Sequence, residues 1–454
     1  VRLAAAGRRA SLDRLGPLLA SVLALGLRLW FVAAGTVEDA LRRSDSFAYL
    51  QYALNLAYAH VYSMSHPGDG PLLPDSFRDP GYPMFLAGLM LLLGFGGKWY
   101  AAVLGLQALL GALTAGLAVR IARRWLSPAA ALAAGMLVAV WPHNVAFSAY
   151  LLSETLCGFL LVLALWLGCR AGESGSRRAW FGAGLGFGLA AMVNAVVTPF
   201  APLLALLYWR RRALAAPLAL ALLCGAMVLP AAWMVRGWTL QGAQSAGSRA
   251  AINLVEGSWP EYHAAYRGSL EHDPAAQDLM RRIGQEEALM QRSPGQGAAA
   301  IWARLRGEPG RYLAWYAWKP ALLWAWQIRM GWGDIYAYPV DHSIYLSNRA
   351  MPLLEALCFA LNPLLFLLMA LAALLVLPRP PPAGGATGLY AVAALAVFET
   401  LVFSLLQAEP RYSIPLRPLE MILAVSAVAE LLRLRRARML RHGQTAPSPV
   451  RGVL

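Results

Sequence analysis

Stretches of roughly twenty apolar residues, many of them closed by a small cluster of arginines, recur along this 454-residue sequence. A helix of about 20 apolar residues crosses the roughly 30 Å hydrocarbon core of a bilayer. Hydrophobic residues make up 59% of the chain and charged residues only 14%, with a mean hydropathy of +0.50, whereas soluble domains carry about one quarter charged residues. The fold class expected is therefore an all-α polytopic membrane protein.

Candidate spans cover approximately residues 15–35, 99–120, 129–147, 150–169, 179–194, 195–209, 214–236, 352–377, 387–407 and 412–432, about ten in all. The first follows Arg2, Arg8, Arg9 and Arg14 and has no small-residue cleavage site behind it, so it reads as a retained span. Residues 82–95 hold only about 14 apolar residues, a length suited to an interfacial or re-entrant piece. With that piece left out and the N-terminus inside, Arg120, Arg123 and Arg124, then Arg170, Arg177 and Arg178, then Arg210 to Arg212, and finally Arg433, Arg435, Arg436, Arg438 and Arg441 all fall on the cytoplasmic side. The net charge of +15 is thus a topology signal and does not point to nucleic acid.

This parity divides the chain into a seven-span module (1–236) with a first outer loop at 36–98, a long outer loop (237–351), a three-span C-terminal module (352–433) and a basic cytoplasmic tail (434–454). The long loop is the only extended polar stretch, and its helical periodicity is clear only over Pro274 to Ser293 and Pro294 to Arg306. Residues 311–327 place Tyr312, Trp315, Tyr316, Trp318, Trp324 and Trp326 around Lys319, a density that suits the headgroup layer, and predict an in-plane or re-entrant helix. An uncharged, aromatic-rich stretch after Asp45, from Ser46 to Tyr58, predicts a second helix lying on lipid.

Ionisable residues in or beside spans mark function by default. The candidates are Arg28, Asp45, Arg78, Asp79, Glu154, Lys319, Glu399, Glu409 and Arg411, and the topology puts all but Glu399 near the outer face. Asp45 has two compatible readings. It caps the in-plane helix beside Ser44, and the helix field that favours this also keeps it ionised, as a general base requires. Glu154, at the head of the fourth span, reads either as a partner for Arg28 or His143 or as a substrate contact. Arg28 reads as a snorkelling cation or a site residue. Arg411, beside Tyr412 in the rigid Glu409-Pro-Arg-Tyr-Ser-Ile-Pro415 turn, reads as a phosphate ligand. The four cysteines lie in apolar runs, the histidines never reach metal-ligand spacing, and neither a Walker A loop nor a dinucleotide fingerprint is present.

Several of these features together resemble a known group. An acid after the first span, Arg78-Asp-Pro-Gly-Tyr-Pro83 leading into an apolar segment, Ser153-Glu-Thr155 heading the fourth span, and Arg411-Tyr412 with Pro415 at the last span resemble the GT-C glycosyltransferases, of the protein O-mannosyltransferase and lipid A aminoarabinose transferase type. The resemblance implies a polyprenyl-phosphate sugar donor, a shared module of seven spans, and a general base at Asp45. Arg78, Tyr82, Glu154, Lys319, Arg411, Tyr412 and Arg28 are then the substrate-binding candidates. Two positions depart from the group: Ser46 stands where many relatives carry a second acid, and Asn194-Ala-Val-Val-Thr-Pro199 replaces an Arg-Pro before the sixth span.

The expected activity is an inverting sugar transfer on the outer face of a bacterial-type inner membrane. The acceptor is a lipid, glycan or protein hydroxyl. No cofactor is required, since a lipid monophosphate leaving group carries less charge than a nucleoside diphosphate; a divalent metal is allowed, with no residues arguing for one. A flippase of lipid-linked sugars would need polar sites at mid-membrane, where mainly Asn194, Glu399 and Arg28 stand. A noncatalytic envelope scaffold would have no use for Asp45.

Overall fold

The computed structural model describes residues 2–37, 45–240, 246–328, 340–379, 381 and 387–444. Ser44, part of the expected cap, and the last ten residues of the basic tail lie outside them. Of the described residues, 81% are helical. Among the described residues the α-helices run in order: α1 Arg2–Ala34, α2 Asp45–Ala59, α3 Gly81–Leu93, α4 Gly97–Ala122, α5 Pro128–Val140, α6 Pro142–Ala146, α7 Glu154–Ser174, α8 Arg177–Val193, α9 Phe200–Arg210, α10 Ala216–Thr239, α11 Ala246–Gly257, α12 Tyr262–Leu270, α13 Pro274–Arg292, α14 Pro294–Gly307, α15 Pro309–Leu323, α16 Ile344–Ser347, α17 Met351–Val376, α18 Thr387–Leu405 and α19 Arg417–Gln444. A two-residue antiparallel pairing sets Thr36 opposite Asp341 and Val37 opposite Val340, tying the end of α1 to the segment before α16.

Local chemistry sets many of the boundaries. Ser127 caps α5 by accepting the Ala130 N–H at 3.3 Å with Pro128 at the first helical position, and Asp273 caps α13 by accepting the Ala275 N–H at 3.0 Å ahead of Pro274. Gly175, at φ 63°, ends α7 in the left-handed conformation that glycine adopts without a Cβ clash.

Among the described residues six helices are long and apolar enough to cross a membrane, namely α1, α4, α7, α10, α17 and α18, so the chain is a multi-pass membrane protein, as expected. A seventh candidate is broken: the expected span at 129–147 consists of Pro128–Val140 and Pro142–Ala149, bent by 57° at Trp141. The bend has a local cause, because Pro142 has no N–H to continue the ladder. α3 has 13 residues and rises about 20 Å, too short to span, in keeping with the exclusion of 82–95. The expected span at 195–209 is likewise a short apolar helix, and the one at 412–432 opens as a 3-10 turn over Pro410–Leu416 before α19 begins.

α8 and α10 pack at backbone distance. A Cβ on Gly184 would stand 2.2 Å from the Leu222 carbonyl oxygen, and one on Gly225 would stand 2.1 Å from that of Phe181, a closeness that only small residues permit. On the other side of the bundle, Arg417 donates to Asn362 Oδ1 and to the Ala325 carbonyl, both at 2.9 Å, and pairs with Glu420 at 2.8 Å, while Asn362 donates to the Trp324 carbonyl. These bonds join α19 and α17 to the end of α15.

The long polar loop is helical from α11 to α15 and has its own small core, built on Val255, Tyr262, Ile283, Met290 and Ile301. α13 and α14 match the two predicted stretches; α11 and α12 were not legible. The aromatic helix at α15 differs from the headgroup picture in part. Leu313 and Trp318 are exposed, but Tyr312 and Trp324 are buried, and Trp326 packs edge-on to Trp141 with centroids 5.4 Å apart. Half of the aromatic face is therefore core.

The outer helices dock on the bundle where Gly257 meets the end of α18. A Cβ at Gly257 would lie 1.8 Å from the Leu406 carbonyl oxygen, and backbone cannot yield as a flexible side chain can. Gly257→Ala is expected to lower stability by about 1 to 3 kcal/mol through overpacking. Thermal unfolding in detergent checks this, and an unchanged melting temperature would contradict it.

Candidate active site

Asp45 is the first residue of α2, and its carboxylate is gripped by cations from both ends of the chain. Arg78 Nη2 lies 2.6 Å from Oδ1, and Arg411 Nη1 lies 2.7 Å from Oδ2. Arg411 also donates through Nε to Glu154 Oε1, so one guanidinium bridges two carboxylates. Each element delivers its residue for a local reason. α2 starts at Asp45, where exposed amides favour an anion. α7 starts at Glu154 after the break at Trp141. Arg411 sits in a proline-bounded 3-10 turn whose first amide, its own N–H, donates to Glu409 Oε2 at 2.7 Å.

Asp45, Glu154, Arg78 and Arg411 are thus joined side chain to side chain, with the Glu409 carboxylate on the Arg411 backbone. Arg411 and Glu154 are almost fully buried, while the Asp45 and Arg78 side chains keep 28% and 22% of their surface exposed, leaving these two within reach of an incoming ligand. Burial alone would raise the Asp45 pKa, but the guanidiniums of Arg78 and Arg411 outweigh it and hold the carboxyl well below the usual carboxylate range. The reverse effect raises Arg78 above its ordinary value despite burial.

Of the sequence candidates, Asp45, Arg78, Glu154 and Arg411 meet directly. Glu154 pairs with Arg411, whereas the sequence reading offered Arg28 or His143 as its partner. Arg28 and Glu154 do line one small cavity, together with Asn144 and Thr155. Within it, Arg28 donates to the Ala24 and Ala139 carbonyls at 3.0 and 3.2 Å. Ala139 lies at the broken end of α5, so the arginine takes up backbone acceptance freed by the bend.

Three candidates stand apart from the Asp45 carboxylate. Tyr82 is fully buried and donates to Gln107 Oε1 at 2.8 Å, one ring behind the cluster. Tyr412 stacks on Phe403 and donates to Gln407 Oε1 at 3.0 Å. Lys319 is fully buried and donates to the Gly257 and Leu406 carbonyls, with the Tyr316 ring 4.7 Å away. Its bonds are those of a clasp between the outer helices and α18.

Sequence reasoning missed Tyr49 and Arg249. Tyr49 lies one turn after Asp45, beneath the Arg78 guanidinium at 5.7 Å, hydrogen-bonded to Ser153 Oγ at 3.2 Å and edge-on to Tyr82. The i, i+4 spacing from Asp45 was the available signal. Arg249 of α11 pairs with Asp79 Oδ2 at 2.6 Å, and the same oxygen accepts the Ala195 N–H at 3.2 Å. A cation from the outer loop thus reaches the Asn194–Pro199 break where the expected Arg-Pro is missing. Asp79→Asn strands Arg249 in a site that is largely buried and is expected to cost about 3 to 5 kcal/mol. The double variant Asp79→Asn/Arg249→Gln should recover much of this in thermal unfolding, and the pairing is refuted if it does not.

Residues 71–235 match the family described as dolichyl-phosphate-mannose-protein mannosyltransferase. Arg78, Tyr82 and Glu154 fall inside the matched stretch, and Asp45, Lys319 and Arg411 outside it. No curated protein matches the chain. Among solved structures, ArnT from Cupriavidus metallidurans bound to undecaprenyl phosphate is 14% identical with a TM-score of 0.48, over 91% of this chain and 60% of that one. The archaeal oligosaccharyltransferase AglB from Archaeoglobus fulgidus, in complex with an inhibitory peptide and a dolichol-phosphate, is 14% identical with a TM-score of 0.47, over 95% of this chain and 52% of that one. The chain therefore spans between half and two thirds of the length of these structures. The match over residues 71–235, about a third of the chain, agrees with the resemblance to the GT-C glycosyltransferases read from the sequence.

Proposed function

We propose that this protein is an inverting glycosyltransferase that moves a hexosyl or pentosyl group from a polyprenyl-phosphate donor to an acceptor hydroxyl on the non-cytoplasmic face of a bacterial-type inner membrane, with both termini in the cytoplasm. The acceptor oxygen attacks the anomeric carbon, and its proton passes to the Asp45 carboxylate. The bond from that carbon to the phosphate oxygen breaks, and its electron pair leaves with the lipid phosphate. Arg411 and Arg78 are assigned to the charge that grows there, since preorganised cations act most strongly in a partly buried site. Two guanidiniums supply positive charge without a metal.

The observation that carries this reading is the sharing of Asp45 by guanidiniums that lie 33 and 366 residues away in sequence. A base and two phosphate-seeking cations within one hydrogen bond of each other suit transfer from a phosphate to a hydroxyl. In this proposal residues 1–236 form the catalytic module, 237–351 cover the acceptor side, 352–433 bring Arg411, and 434–454 anchor the cytoplasmic end. Arg28, Tyr82, Lys319 and Tyr412 act behind the contacting residues, supporting them.

Reconstitution with a panel of radiolabelled polyprenyl-phosphate hexoses and pentoses, together with an envelope extract as acceptor, tests the proposal. The expected result is acceptor-dependent release of polyprenyl phosphate with inversion at the anomeric carbon. Binding of the donors without turnover of any would refute it.

A further inference from the structure

Asp45 is poorly placed to act in the state described. Each of its oxygens accepts from a guanidinium, and two cations at hydrogen-bond distance make a carboxylate a weak proton acceptor. Something must draw at least one arginine away before an acceptor hydroxyl can be deprotonated. Arg411 is built to move, because it has a second anchor: Nε rests on Glu154 while Nη1 reaches Asp45. A turn about the Nε contact swings the outer edge of the guanidinium off Asp45 and leaves the arginine still paired. Arg78 has no such second carboxylate among its described contacts, and its guanidinium otherwise lies over the Tyr49 and Phe77 rings.

Resting on the reading of Asp45 as base and Arg411 as phosphate ligand, we propose that the donor's phosphate is the switch that exposes the base, with Glu154 as the positioning residue on which Arg411 pivots from Asp45 to phosphate. The donor then binds before the acceptor, because only the donor-bound site has a competent base. A hydroxyl arriving first meets a neutralised carboxylate.

The sign of the Glu154 effect follows from pairwise electrostatics. Arg411 is paired with Glu154 before and after the swing, so that attraction cancels. What remains is the repulsion between the Glu154 carboxylate and the bound phosphate, which is present only in the switched state. Glu154→Gln keeps the side-chain shape and an oxygen for Arg411 Nε but removes this repulsion.

A short-chain polyprenyl monophosphate, free of sugar, is the probe. Measured on the full-length protein in detergent, Glu154→Gln is expected to bind it more tightly by roughly fivefold or more, the scale of one screened charge in a partly buried site. In turnover the same variant lowers KM for the donor and kcat together, because the lipid phosphate leaves more slowly, and Glu154→Asp restores both. Equal or weaker binding in Glu154→Gln would overturn the pivot and return Glu154 to a direct substrate contact. If the variant does not fold, a structure of the wild-type protein with the same probe decides the question. Arg411 on the phosphate with Nε still on Glu154 supports the switch, and Arg411 still on Asp45 with phosphate bound overturns it. The binding and structural readouts need no sugar transfer, so they stand apart from the activity assay: an Asp45→Asn protein that still transfers sugar removes the base reading whatever Arg411 does.

Discussion

Replacing Asp45 with Asn is expected to lower sugar transfer by about 10² to 10⁴, the usual worth of a positioned general base. Asn fills the same space and still accepts a hydrogen bond from one arginine, so the loss falls on kcat. Binding of a polyprenyl monophosphate should survive and even strengthen, since a negative charge beside the phosphate is gone. Transfer at the wild-type rate would remove Asp45 as the base. The pH behaviour gives a second readout. Burial raises the Asp45 pKa, the two guanidiniums lower it further, and the folded-state value lies well below that of the unfolded chain, near 3.9. Stability from this group is therefore present above about pH 4 and is lost as the pH falls below that toward the folded value. In Asp45→Asn this part of the acid sensitivity disappears.

Arg411→Ala is expected to have the second large effect. It removes the cation that Asp45 and Glu154 share, leaving the buried Glu154 carboxylate unpaired, a loss of about 3 to 5 kcal/mol in stability. Removing one preorganised charge partner of a transition state typically costs about 10² to 10³ in rate. The two losses separate in the double variant Arg411→Ala/Glu154→Gln, which leaves no stranded charge. Its melting temperature should recover toward wild type while polyprenyl monophosphate affinity and transfer stay low. Wild-type phosphate affinity in the double variant would refute the assignment of Arg411.

The grouping of Asp45, Glu154 and Arg411 was legible because the arginine clusters predict one common face for the span ends that carry these residues, and few charges survive at those ends. The parity argument carries no information on distance. It therefore treated Lys319 and Tyr412 as equals of Arg411, although α15 turns Lys319 toward two carbonyls and the stack on Phe403 holds Tyr412 aside. Residues 311–327 misled in the same way, since a tryptophan at a headgroup and one in a core look alike in sequence, and Trp324 is in the core. Arg249 escaped notice because nothing in the short α11 itself marks its partner. Its partner lies 170 residues away, a pairing that only the folded chain reveals.

The meeting of α8 and α10 restricts how a long isoprenoid can reach the base. Where a glycine on each helix lies against a carbonyl of the other, at Gly184 and Gly225, no methylene-wide gap remains between them. Those two helices form a closed palisade to hydrocarbon, and a tail some tens of ångströms long cannot thread it without prising backbone from backbone. The donor's route from the bilayer must pass around that wall.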